Sequence, residues 1–115
     1  MLIGKKVRYM SYPNQKTISI DKMPCDKNNK YAVINQYAMQ KAMCQLKTMG
    51  SMKLWLYLAK NKPDYKFDLS CAECGKWGLK PDAFHAAVKE LINKGYLLKE
   101  KANEYTFIEI GAYRE

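Results

Sequence analysis

At 115 residues the chain has room for one domain with a modest core, and its net charge of +9 is large for that size. Apolar residues make up 48% and charged residues 27% of it, a globular balance that argues against a disordered chain. No apolar run approaches the ~20 residues of a membrane span, so neither a transmembrane segment nor a membrane partner is expected.

The opening residues, MLIGKKVRYM, carry no apolar signal-peptide core, and a cytoplasmic location is expected. The charge points to an anionic partner, with nucleic acid ahead of a membrane surface. Residues 6–10 and 17–20 alternate with period two and predict the strands of an N-terminal hairpin. Tyr12-Pro13-Asn14-Gln15 supplies the turn between them. Residues 24–30 are polar and broken, a loop. Tyr31-Ala32-Val33-Ile34 is β-branched in its second half and fits a third short strand.

Asn35 is suited to cap a helix in which Met39, Ala42, Met43 and Leu46 fall on one face. That stripe is expected in the core, with a dimer surface as the alternative. Gly50-Ser51 separates it from a central apolar helix over 52–60, which Asn61 and Pro63 should end. Residues 65–69 alternate and fit a short strand.

Residues 69–98 carry the strongest local signals. Ser70 and Glu73 form a capping-box pattern, which starts a helix over about 70–77 with Cys71, Cys74 and Trp77 on one face. Gly78 can take the left-handed turn after it. Pro81 suits the first turn of the next helix, over 81–94. Phe84, Ala87, Val88, Leu91 and Ile92 repeat at the helical period, and Gly95 ends the run. Two further strands, 96–99 and 105–110, are joined by residues 100–104.

Four cysteines occur, and only Cys71-x-x-Cys74 has metal-like spacing. A structural zinc site needs a second ligand pair, and Cys25, Cys44 and the lone His85 do not supply one. Core thiols are the expectation, with no metal and no cofactor. The chain has no glycine-rich phosphate loop, no His-x-Glu pattern and no set of residues around His85 suited to nucleophilic catalysis. An enzyme is not expected.

Two short helices around a glycine turn, followed directly by a hairpin, resemble a winged helix-turn-helix. Lys53-Leu54-Trp55-Leu56-Tyr57-Leu58-Ala59-Lys60-Asn61 and Glu90-Leu91-Ile92-Asn93-Lys94-Gly95-Tyr96-Leu97 carry much of the likeness. They resemble small DNA-binding proteins of Gram-positive phages and plasmids, including replication-associated ones. The resemblance implies an α+β fold in one domain: an N-terminal hairpin and helix over 1–49, a winged-helix core over 50–110 and a tail over 111–115. It implies duplex DNA binding, as a homodimer, by a transcriptional regulator or an accessory factor for replication or conjugative transfer. A protein partner in such a complex is compatible with this. A winged helix that binds proteins instead is the alternative.

In that superfamily the second helix of the motif enters the major groove. Here its outward set is Asp82, Ala83, His85, Ala86, Lys89 and Asn93. Lys80, His85, Lys89 and Asn93 are therefore candidate DNA contacts, with Lys99, Lys101 and Asn103 on the wing. The charge distribution adds a second surface. Residues 1–30 carry +5, residues 31–79 carry +4, and residues 80–115 are neutral. Phosphate attraction dominates affinity for DNA, so Lys5, Lys6, Arg8 and Lys16 on the N-terminal hairpin join the candidates.

Overall fold

The computed structural model describes residues 16–27, 31–102 and 104–111. The chain divides into two units, Met1–Lys30 and Tyr31–Glu115. In the first, residues 16–27 hold neither helix nor strand, which corrects the strand expected over 17–20. Ile18 and Ile20 stand exposed there, so the alternation buries no face. The partner strand expected over 6–10 and the turn at 12–15 lie outside the described residues.

The described residues of the second unit are mixed α and β: four helices and one two-stranded antiparallel sheet. Helix α1 is Gln36–Gln45, and the Asn35 side chain accepts from the Ala38 N–H at 2.8 Å, the expected cap. Its buried row is Ala38, Ala42 and Leu46, with Met39 half-buried. Met43, expected on that row, is exposed.

Helix α2, Met49–Ala59, starts three residues earlier than expected. Thr48 caps it by accepting from the Ser51 N–H at 3.1 Å. Gly50 is thus inside the helix, and packing explains it. A Cβ there would lie 3.2 Å from the Cβ of Ala83. Ala83, expected outward, is instead half-buried against the core. The far end of α2 is closed by the Asn61 side chain, which donates to the Tyr57 and Leu58 carbonyls at 3.2 and 3.1 Å.

Helix α3, Cys71–Lys76, begins where Ser70 accepts from the Glu73 N–H at 3.1 Å. Cys74 is fully buried and Cys71 half-buried, whereas Trp77 is exposed at the C-cap. Burial pushes the Cys74 thiol up, and the neighbouring Cys71 and Glu73 add to the effect, so it stays a neutral core group. Gly78 takes φ +88°, and the buried Leu79 follows it. Helix α4, Pro81–Asn93, packs chiefly on α2 through Phe84, Ala87 and Leu91.

Strands β1, Leu97–Lys101, and β2, Glu104–Phe107, form the hairpin. Leu97 faces Phe107, Leu98 faces Thr106 and Lys99 faces Tyr105. A register irregularity after Lys99 brings Lys101 opposite Glu104, so the loop is shorter than the expected 100–104. β2 also stops at Phe107, short of the expected Ile110. Beyond it the chain folds back onto the helices. The Trp55 indole N–H donates to the Glu109 carbonyl at 3.2 Å, and Lys41 Nζ donates to the Ile110 carbonyl at 2.8 Å. Gly111, expected in a tail, is buried with φ +84°, and a Cβ there would lie 3.0 Å from the Tyr96 ring. Residues 31–34 and 65–69 are outside any ladder, which corrects both short strands expected there.

Candidate nucleic-acid interface

The geometry of the outward α4 face begins with its anchoring. Phe84, Ala87 and Leu91 hold one side of the helix on α2, so residues a third of a turn away must face out. His85, Ala86, Lys89 and Asn93 are exposed and share one shallow depression with Glu90 and Lys94. The His85 ring meets Phe84 edge-on at 5.3 Å, which limits its freedom. Lys80 sits at the N-cap with no side-chain cap bond, its side chain exposed. Asp82 is exposed in the same first turn.

Lys99 and Lys101 are exposed on β1, directly beyond the helix. Among the described residues, the side-chain ammonium groups of Lys80, Lys89, Lys99 and Lys101 enter no hydrogen bond or ion pair. Four cations are therefore available along α4 and the hairpin. Lys16 is exposed in the first unit. Lys5, Lys6, Arg8 and Asn103 lie outside the described residues.

No protein-family model, curated protein or solved structure matches this chain. The chemistry of the face therefore stands on its own geometry. Lysines supply point charges for phosphate oxygens, and His85 and Asn93 supply groups able to donate and accept. Arginine, the commonest reader of guanine, is missing from this face. Among the described residues no group of three His, Cys, Asp or Glu side chains comes together to hold a metal.

One residue that positions this face has no local signal for that part in the sequence. Glu90 is the hub that fixes the α4 face to the α1–α2 corner. Its carboxylate accepts from Lys94 Nζ at 2.8 Å, from the Lys47 N–H at 3.0 Å and from the Ser51 hydroxyl. Lys94 also donates to the Gln45 carbonyl, so its charge is committed to structure. The Glu90–Lys94 spacing of four was readable as a helix pair. The Ser51 and Lys47 contacts, some forty residues away, left no local signal.

Burial alone would push the Glu90 carboxyl up. The hydrogen bonds from Lys94, Ser51 and Lys47 outweigh it and hold the group at about 2, against an ordinary 4.5. A carboxyl held below its unfolded value stabilises the fold above that value, and the contribution is lost as pH falls through the folded value. The shift corresponds to about 3 kcal/mol at neutral pH. Glu90→Gln keeps the shape but brings a donor to a site that receives three. It is expected to cost about 2 kcal/mol at neutral pH, with the gap from wild type closing as pH falls to about 2. Urea unfolding across that pH range reads both effects, and a gap independent of pH would contradict this account.

Proposed function

We propose that the protein binds double-stranded DNA as a winged helix-turn-helix, with α4 set against the major groove and the β1–β2 hairpin as the wing. The observation that carries this reading is the outward α4 face: His85, Lys89 and Asn93 lie side by side on a helix whose other side is anchored in the core. The hairpin leaves directly from its end and adds Lys99 and Lys101. Lysines neutralise phosphates and set the register, while His85 reaches toward base edges. The overall charge of +9 favours the same partner.

The role that fits is a transcriptional regulator, or an accessory factor in plasmid or phage replication or conjugative transfer, acting as a homodimer on paired half-sites. Removing two of the face's groups tests the assignment. His85→Ala/Lys89→Ala is expected to weaken binding of a labelled duplex about tenfold in fluorescence anisotropy at low salt. An unchanged affinity, with wild type binding the duplex, would move the contact surface away from α4. No binding of any duplex by wild type would end the reading.

A further inference from the structure

A second surface, apart from the outward α4 face, has its own chemistry. A groove of about 940 Å³ runs between the 31–35 segment, the end of α2, the 60–67 loop and strand β2. Five aromatic side chains line it, the half-buried Phe107 and four exposed rings, Tyr31, Tyr65, Phe67 and Tyr105. The relative exposures of these four range from 38% for Phe67 to 60% for Tyr31, unusual for rings gathered in one place. Tyr65 and Phe67 stack with centroids 5.5 Å apart and planes 24° from parallel. Phe67 in turn meets Tyr57 edge-on at 6.2 Å, which ties the stack to the core. Tyr65 and Phe67 are therefore held in place, not loosely displayed.

Charge accompanies the rings. Lys60, Lys62 and Lys66 line the same groove, against Asp64 and Glu109. Glu109 is engaged, accepting from the Asn35 N–H at 3.3 Å. Lys60 Nζ stands over the Tyr57 and Trp77 rings at 4.5 and 4.9 Å. Lys62 and Lys66 are exposed.

We infer that this groove takes a stretch of single-stranded DNA, with bases stacked on the tyrosines and phosphates on Lys62 and Lys66. Fixed, exposed rings beside lysines are what an unpaired strand requires, because every base has a π-face and every nucleotide a charge. A duplex keeps its faces stacked on themselves and offers these rings nothing. An apolar peptide would use the rings but leave the lysines unanswered. Ile34, Val33 and Phe107 extend the lining as hydrocarbon, which suits deoxyribose over a ribose whose 2′-hydroxyl needs a partner. The inference stands on a different surface from the duplex reading and survives or fails without it.

The test is fluorescence anisotropy of the full chain with labelled oligothymidine of about 12 nucleotides, near 50 mM salt. Binding is expected, weakened about tenfold by Tyr65→Ala or by Tyr105→Ala and restored by Tyr65→Phe. Lys62→Ala/Lys66→Ala, two surface changes with no risk to the core, should weaken it and flatten its salt dependence. His85→Ala/Lys89→Ala should leave it intact, which separates this groove from the α4 face. Absence of oligothymidine binding overturns the inference. So does binding indifferent to both tyrosines and both lysines, tighter binding of oligouridine, or displacement of the strand by an apolar peptide at equal concentration.

Discussion

Replacing Trp55 by alanine should remove about 3–5 kcal/mol of folding stability, a large share of the roughly 5–15 kcal/mol available to a domain of this kind. Trp55 is completely buried and is the largest such side chain in the described core. Its ring meets Phe107 edge-on at 6.1 Å, and its N–H holds the Glu109 carbonyl. One residue thus joins α2 both to the end of β2 and to the return of the chain. Truncation opens a cavity and leaves a carbonyl without its donor, two separate costs. Trp55→Phe keeps most of the ring and loses the donor, so it should cost about 1–2 kcal/mol. Urea denaturation followed by circular dichroism measures both, and a loss under about 1 kcal/mol for Trp55→Ala would mean that the hairpin is held by something else.

How much of this arrangement was legible depended on how local each determinant is. Caps and glycine turns are local, and Asn35, Ser70, Gly78, Pro81 and Gly95 all stand where the sequence placed them. The α4 periodicity was equally direct, because Phe84, Ala87 and Leu91 recur on one face. Strands are another matter, since alternation describes backbone that can pair and says nothing of a partner. Residues 65–69 alternate and residues 31–34 end in β-branched side chains, yet both stay outside any ladder.

Gly50 shows the same limit from the other side. In sequence it reads as a break. In the fold it is a contact, the place where α2 comes so near Ala83 that a Cβ would sit at a tight 3.2 Å. The candidate site divides along this line too. Its exposed members, His85, Lys89 and Asn93, followed from helical phase. Glu90, which holds the face in position, did not, because two of its three partners come from distant parts of the chain. The aromatic groove was unreadable for a similar reason, since Tyr31, Tyr65 and Tyr105 meet only after folding.

The salt dependence of duplex binding should be steep, and its slope should say which lysines take part. Each phosphate neutralised contributes about −0.9 to the slope of log affinity against log salt. If only the four cations of the α4 face and the β1–β2 hairpin engage, Lys80, Lys89, Lys99 and Lys101, the slope per chain is about −3.6. Affinity then falls about 150-fold between 50 and 200 mM salt. If Lys5, Lys6, Arg8 and Lys16 also reach phosphates, the slope nears −7 and the loss about 2 × 10⁴-fold, by the same relation. The neutral balance of residues 80–115 and the +5 of residues 1–30 favour the steeper outcome, because the α4 side alone offers little net attraction. Alanine at Lys5, Lys6 and Arg8 should then lower the slope by about 3. A slope near −3.6 that those three substitutions leave unchanged would confine the interface to α4 and the hairpin. A slope near zero would remove duplex DNA as the partner.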